Sequence, residues 1–490
     1  MVTLLPERDE FGPEVPKVSA APPTCLDDHL SACQRADVVS LQHRFADVFS
    51  PLPGRTMLIE HHIETQPGVT VRTRPYRLPA HKQEAVNREL DSMLKLGVVE
   101  ESHSDWCSPI VLVAKRDGAV RFCVDYRRVN AVSKFDAYPM PRIDELLDRL
   151  GTAKYYTTLD CTKGYWQIPL SPVSREKTAF STPRGLFQFT ALPFGLFGAP
   201  ATFQRLMDRI LRPHSAYAAA YLDDIVIYGD TWPQHMQRVA AVLQSLRQAG
   251  LTANPAKCVI GRGEIRYLGY HLGGGEVRPQ VEKTAAVAAA PRPRTRKDVR
   301  RFLGLASYYR QFVPGFSELA SPLTDLTRKG APDPVQWTER CRVAFDGIKN
   351  ALCGETVLYA PNFDLPFSLQ TDASDRGLGA VLTQQVEGAD RPVLYLSRKL
   401  SEREGRYSTV EKECLAIRWA VGALRYYLLG RSFTLYSDHA PLQWLHRMKD
   451  SNARITRWYL ALQPFNFRVV HRPGTQMVVA DFLSRAGGGE

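Results

Sequence analysis

Asp223 and Asp224 stand side by side in Ala219-Ala220-Tyr221-Leu222-Asp223-Asp224-Ile225-Val226-Ile227-Tyr228, a run that is otherwise apolar and strand-like. An ionised carboxylate is costly to bury unless it is paired or bound to a metal, so two in succession imply an exposed hairpin turn, a metal site, or both. A third acid, Asp160, closes the β-rich segment Tyr155-Tyr156-Thr157-Thr158-Leu159-Asp160. Three carboxylates at strand ends suit divalent cations of the Mg²⁺ kind, which take a few carboxylates together with substrate phosphates. Paired ions of that kind support phosphoryl transfer, one at the attacking oxygen and one at the leaving oxygen.

The last third of the chain repeats the pattern. Asp372 ends Phe367-Ser368-Leu369-Gln370-Thr371-Asp372, Asp438 ends Phe433-Thr434-Leu435-Tyr436-Ser437-Asp438, and Asp481 follows Val478-Val479-Ala480. Between them Ser408 and Glu411 form a capping box, with Val410, Cys414, Ile417, Val421, Leu424 and Leu428 as the apolar positions of the helix that starts there. Glu413 lies at the edge of that stripe. On a helix surface such a residue is ordinarily just solvated, and only the neighbouring acids give it a second meaning.

The elements that must position these groups are legible in outline. Pro200 suits a first helical turn, and Phe203, Leu206, Met207, Ile210 and Leu211 follow at helical spacing. Arg116-Asp117-Gly118 separates Ile110-Val111-Leu112-Val113 from Val120-Arg121-Phe122-Cys123-Val124, which predicts a hairpin with basic residues at its tip. Residues 1–55, rich in Pro and polar residues apart from a short helix near Asp37–Phe49, are expected to form a tether. Gly273-Gly274-Gly275 marks an expected boundary, and Val299 to Phe312 has helical spacing interrupted by Arg300, Arg301 and Arg310. Those arginines fit either a solvated face or contact with a phosphate backbone.

Composition narrows the function classes. At 490 residues the chain has room for about three domains, and its formal charge of +12 favours a polyanionic partner. Its nine cysteines include no Cys-x-x-Cys pair, which reads as reduced and intracellular. The N-terminus turns acidic before an apolar signal core can form and no long apolar run follows, so the expectation is a protein neither secreted nor membrane-bound.

The ordered set resembles the reverse transcriptase of Ty3/gypsy-type long-terminal-repeat retrotransposons. It comprises Asp160, Leu192-Pro193-Phe194-Gly195 with Ala199-Pro200-Ala201-Thr202-Phe203-Gln204, Tyr221-Leu222-Asp223-Asp224, Gly250 to Cys258, and Tyr267-Leu268-Gly269-Tyr270. Thr371-Asp372-Ala373-Ser374, Glu413, Ser437-Asp438-His439 and Ala480-Asp481-Phe482-Leu483 resemble the ribonuclease H domain of the same elements. The resemblance implies a multidomain α+β and α/β chain: a right-hand polymerase with fingers, palm and thumb, a connection region, and a C-terminal ribonuclease H-like domain. The corresponding division is 1–55 tether, 56–272 fingers and palm, 273–360 thumb and connection, and 361–490 nuclease.

By the same resemblance, Asp160, Asp223 and Asp224 would be the polymerase carboxylates, and Asp372, Glu413, Asp438 and Asp481 those of the nuclease. Each set would hold two Mg²⁺ ions, with Mn²⁺ as the alternative metal. Lys115, Arg121, Tyr165, Phe194 and Gly195 would meet the incoming nucleotide, Tyr165 as a ring that rejects a ribose 2′-OH. Leu268, Gly269 and Tyr270 would form the primer grip. His471 matches in spacing a histidine of some ribonucleases H, although a surface residue fits it equally.

The implied partners are an RNA template, a DNA primer, the RNA–DNA hybrid and dNTPs. No membrane is implied; cytoplasmic virus-like particles and the nucleus are the implied compartments, and dimerisation stays open. No protease signature, zinc knuckle or integrase-like His/Cys cluster is found, which predicts a segment of a longer Pol polyprotein. Two rivals remain: a catalytically silent retroelement-derived nucleic-acid-binding protein, disfavoured because all seven acids are present, and a cellular or telomere-type polymerase, disfavoured by the fused nuclease.

Overall fold

The computed structural model describes residues 30–76, 79–114, 120–354, 357–437 and 453–471. Lys115, Asp438 and Asp481 lie outside the described residues, and Arg121 lies in a strand whose side chain there is also outside them. Two compact units form. The first comprises Met1–Pro141 and Tyr155–Arg262, and the second Arg142–Lys154 and Gly263–Glu490.

The first unit holds two sheets. One runs in the order β1-β6-β5-β2-β3, from β1 (Val99–Glu101), β2 (Ser108–Ala114), β3 (Val120–Val124), β5 (Phe180–Thr182) and β6 (Gly185–Phe189). Strands β2 and β3 form the expected antiparallel hairpin, with Val113 opposite Arg121. The other runs β7-β8-β4-β9, from β4 (Tyr155–Asp160), β7 (Ala218–Tyr221), β8 (Asp224–Gly229) and β9 (Val259–Arg262). Helices Ala199–Leu211 and Trp232–Gln248 share one core with that sheet: Phe203, Leu206 and Met207 on the first, Val239, Val242 and Leu243 on the second, and Leu159, Ile225 and Ile227 on the strands. Pro200 stands in the first turn of its helix, where its missing N–H is no loss.

The N-terminal stretch departs from the expectation of a tether over its described part. Helix Ala32–Arg44 starts on a Ser31–Gln34 capping box, and Val38, Leu41, Phe45, Val48 and Phe49 are buried in the same core as the sheet. Arg247 closes the contact by pairing with Asp47 at 2.5 Å and lying over the Phe45 ring. Five large apolar side chains outweigh the polar composition that suggested a loose segment.

The second unit has a sheet β10-β11-β12-β13, from β10 (Glu264–Tyr267), β11 (Tyr270–Gly273), β12 (Glu276–Pro279) and β13 (Leu358–Tyr359). Gly273-Gly274-Gly275 lies within a hairpin of the second unit. Gly274 and Gly275, with φ of 60° and 81°, make the two-residue turn between β11 and β12, since two successive positive φ values are what a type I′ hairpin demands. Helix Arg296–Tyr308 begins earlier than the apolar spacing indicated, on a Thr295–Asp298 capping box, and gives way to a 3₁₀ turn at Arg310–Phe312. Arg301 pairs with Asp298, and Arg300 and Arg310 are exposed.

The other sheet of this unit runs β16-β15-β14-β17-β18, from β14 (Phe367–Ala373), β15 (Gly377–Val386), β16 (Ala389–Lys399), β17 (Ser432–Ser437) and β18 (Asn466–His471). Strand β15 is antiparallel to β14 and β16, whereas β14, β17 and β18 are parallel. Helix Thr409–Ala423 starts on the expected Ser408–Glu411 box and buries Cys414, Ile417, Ala420 and Val421 with Leu369, Leu378, Ala380 and Leu435. Among the described residues no helix is long and apolar enough to cross a membrane.

Candidate active sites

Strand pairing brings the first three acids to one end of one sheet. Asp160, the last residue of β4, lies directly opposite Asp224, the first residue of β8. Tyr221 pairs with Asp224, so Leu222 and Asp223 form a two-residue turn in which Leu222 takes a positive φ of 57°. The turn is tied back to β4 by the Cys161 N–H, which donates to the Asp223 carbonyl at 3.2 Å. A non-glycine residue in the left-handed region costs about 1–3 kcal/mol and persists only where its surroundings hold it.

Buried Gln204 does the holding, and a second buried glutamine, Gln167, braces the segment just past Asp160. Gln204 Oε1 accepts from the Leu222 N–H at 2.9 Å, and its Nε2 donates to the Ala220 carbonyl at 3.1 Å. Gln167 Nε2 donates to the carbonyls of Thr162 and Thr252, each at 2.9 Å, and its Oε1 accepts from the Thr252 N–H at 2.8 Å. Neither glutamine was assigned a role from sequence. A fully buried amide inside an apolar helix or turn was the available signal, but its partners lie far along the chain.

Electrostatics sharpens the arrangement. Asp224 is open to solvent at its tip, yet partial desolvation and the neighbouring charges of Asp223 and Asp160 push its carboxyl up to about 6. Asp160 is raised as well, by desolvation first, with Asp223 adding to it and Lys257 opposing it. Lys257 Nζ stands 3.3 Å from both Asp160 oxygens. Carboxylates that disfavour one another's charge fit a divalent cation, which would relieve that repulsion. Among the described residues no three acid, His or Cys side chains already close into a metal cage.

Aromatic residues border the acids. Tyr165 sits half-buried with its ring centroid 5.5 Å from Phe203 and 5.0 Å from Phe194, and a side chain on adjacent Gly164 would meet Phe203 and the Asp223 Cβ. Burial and Asp223 together push the Tyr165 hydroxyl up to about 12. Phe194 is 51% exposed. Gly195 takes a φ of +98° against the Val124 carbonyl, and its own carbonyl accepts from Asn130 Nδ2 at 2.9 Å. Tyr165, Phe194 and Gly195 thus lie in the unit that carries the acids, whereas Leu268, Gly269 and Tyr270 belong to the second unit.

Of the second acidic set, two members are described. Asp372 stands near the end of β14 opposite Gly379, and Glu413 is buried, 3% exposed, on the helix that packs against β14. His471 ends β18 opposite Ser437, the last described residue before Asp438. Burial, with Glu413 and Glu411 beside it, pushes the Cys414 thiol up to about 12.

Comparison with known proteins supplies the family. Residues 113–272 match the family described as reverse transcriptase (RNA-dependent DNA polymerase), and residues 362–465 the RNase H-like domain found in reverse transcriptase. The Retrovirus-related Pol polyprotein from transposon opus of Drosophila melanogaster is 37% identical over 465 residues, covering 91% of this chain and 46% of the relative. The chain carries the two linked domains of a Ty3/gypsy-type Pol polyprotein. The corresponding protein of transposon gypsy, also from Drosophila melanogaster, is 35% identical across 91% of this Pol segment, and the Transposon Tf2-3 polyprotein of Schizosaccharomyces pombe 35% identical across 89%. The segment spans less than half the length of these relatives, at 46%, 44% and 33%. Its fold is that of the foamy viral protease-reverse transcriptase: one such structure, in complex with double-stranded DNA, aligns with a TM-score of 0.81 at 23% identity, covering 91% of this chain and 79% of that one.

Proposed function

We propose that this Pol segment is an RNA- and DNA-directed DNA polymerase that also cleaves the RNA strand of RNA–DNA hybrids. The observation that carries the reading is the in-register pairing of Asp160 with Asp224 beside the Asp223 turn, within the residues that match the reverse transcriptase family. Asp160, Asp223 and Asp224 would hold Mg²⁺ or Mn²⁺ in the polymerase, and Asp372, Glu413, Asp438 and Asp481 in the nuclease. When bound, such ions activate the attacking oxygen and stabilise the leaving one.

The chain's own residues supply the positioning. The Gln204 bonds hold the Asp223 turn, the Gln167 bonds tie the segment just past Asp160 to Thr252, and Lys257 pairs with Asp160 and opposes the rise of its carboxyl. Tyr165, wedged between Phe194 and Phe203, would present its ring to the sugar of the incoming nucleotide and favour a dNTP. Lys115 and Arg121 would hold the triphosphate. Leu268, Gly269 and Tyr270 would grip the DNA primer.

In domain terms the fingers and palm would take 56–272, thumb and connection 273–360, and the nuclease the remainder. Structures of the foamy viral protein in complex with double-stranded DNA and with an RNA/DNA hybrid support nucleic acid of both kinds as the partner. Virus-like particles in the cytoplasm, with access to the nucleus, would be the setting.

Primer extension on a labelled RNA template tests both activities at once. Asp223→Asn is expected to abolish extension and spare RNA cleavage, and Asp372→Asn the reverse. A wild-type chain that binds the hybrid and performs neither reaction would favour the catalytically silent binding protein.

A further inference from the structure

The turn between β10 and β11 is strained and unusually tethered. Tyr267 pairs with Tyr270, which leaves Leu268 and Gly269 as a two-residue loop with φ of 47° and 85°. Both positive values make it a type I′ turn, a geometry that suits Gly at the second position and penalises Leu at the first. The central peptide of the loop carries the Leu268 carbonyl. That carbonyl accepts from Tyr308 Oη at 2.7 Å, and the next one, on Gly269, accepts from Tyr309 Oη at 2.8 Å.

Tyr308 and Tyr309 are successive residues at the C-terminal end of helix Arg296–Tyr308. Their rings pack on Tyr270, each with its centroid 5.5 Å away, and the Tyr270 hydroxyl returns a bond to the Tyr308 carbonyl at 3.3 Å. Gly269 leaves a side chain little room, since a Cβ there would stand 3.2 Å from Tyr309 Oη and 3.4 Å from the Tyr308 ring, and its φ of +85° disfavours one as well. The Gln280 N–H adds a third bond, to the Gly269 carbonyl at 3.1 Å.

The Tyr308 bond is poorly explained as a stabiliser. Tyr308 is 41% exposed and the turn itself only half-buried, so water could satisfy the Leu268 carbonyl, whereas Tyr309 is buried and its bond to Gly269 belongs to the packing of the unit. A hydroxyl–carbonyl bond in such a place contributes little net stability, since folding exchanges it for a bond to water. Its distinctive effect is conformational, because the central peptide cannot reorient without breaking the Tyr308 bond.

We infer that Tyr308 and Tyr309 are positioning residues that lock the Leu268–Gly269 turn in the one conformation that sets the primer end for reaction. The inference rests on reading Leu268, Gly269 and Tyr270 as the primer grip. Neither tyrosine touches the reacting atoms in this scheme, and each acts through the turn. This role gives a purpose to Tyr308-Tyr309, which lie in the 273–360 span that the resemblance assigned only broadly to thumb and connection.

Tyr308→Phe and Tyr309→Phe remove the hydroxyls and keep the rings, so the test is the double variant in the full chain. Hydrogen exchange at the amides of 268–270 is expected to speed up about tenfold or more, with the thermal unfolding midpoint held. Single-turnover extension of a DNA primer on an RNA template, at saturating dNTP, is expected to slow about tenfold, with the Kd for primer–template and the rate of RNA cleavage on a preformed hybrid unchanged. Exchange at the wild-type rate would overturn the lock. Faster exchange with wild-type extension would overturn the positioning role, as would a fall in extension matched by an equal loss of duplex affinity. A wild-type chain that extends no primer overturns the polymerase reading itself, an outcome visible before any variant is made.

Discussion

Gln204 shows how much of the geometry of a candidate site can depend on a residue with no chemistry of its own. Its side chain is fully buried and spans from the helix that carries Phe203 to both sides of the Asp223 turn. Replacing it with Ala leaves the Leu222 N–H and the Ala220 carbonyl without their partner, at a cost of about 1–3 kcal/mol for a buried group. The Gln204→Ala chain should therefore unfold at lower denaturant and lose primer extension at temperatures where it is still folded. Gln204→Glu, which keeps one acceptor but places a charge near Asp223, should preserve less activity than its stability implies. Parallel measurement of unfolding midpoint and extension rate checks both. The placement of Asp160, Asp223 and Asp224 at strand ends was legible from sequence because the signal is local, a charge closing an apolar run. The glutamine was not, because Ala220 is 16 residues away and only the folded hairpin brings it within reach.

Element by element, legibility follows the same division. The Ser408–Glu411 box announced its helix, since both halves of the cap lie within one turn of sequence. The triple glycine was read only as an expected boundary, because Gly-Gly carries no local mark of a type I′ turn and only the pairing of Gly273 with Glu276 makes it one. Helix Ile143–Leu150 could not be placed at all. It lies between segments of the first unit in sequence, yet packs into the second, where Tyr427 Oη donates to Asp148 Oδ2 at 2.6 Å. Burial, with help from Asp144 and Glu145 and against the Tyr427 bond, raises the Asp148 carboxyl to about 7. The other groups around that space are Arg142, Arg310, Arg398 and Tyr426. In the unfolded chain the group titrates near the ordinary aspartate value of 3.8, so between there and 7 the folded state binds the extra proton. Its contribution to stability is thus present at low pH and lost as pH rises through 7. Discounting for partial exposure, the loss should be on the order of 2 kcal/mol between pH 4 and 8. Asp148→Asn should flatten that part of the pH–stability curve, as read by denaturant melts of the two chains; an unchanged slope would count against this carboxyl as its source.

For the whole molecule, the same helix means that no single cut separates the two units. The chain leaves the first unit at Pro141, contributes Arg142–Lys154 to the second, and returns at Tyr155. Leu146, Leu147 and Leu150 are buried there, and a side chain at Gly151 would overlap Ala360. A fragment beginning at Gly263 would contain every described residue of the ribonuclease H-like match but lack this helix. Three leucines at about 1.5–3 kcal/mol each are a large share of a typical domain's net stability of about 5–15 kcal/mol. The fragment 263–490 should consequently melt well below the corresponding transition of the full chain, and expose apolar surface to a hydrophobic dye. Fusing residues 142–154 to it through a flexible linker should recover most of the loss, while a fused copy carrying Leu147→Asp and Leu150→Asp should not. If the bare fragment melts with the full chain, the helix is dispensable to the second unit, and the ribonuclease H-like half of the chain can be treated as a module with a simple boundary.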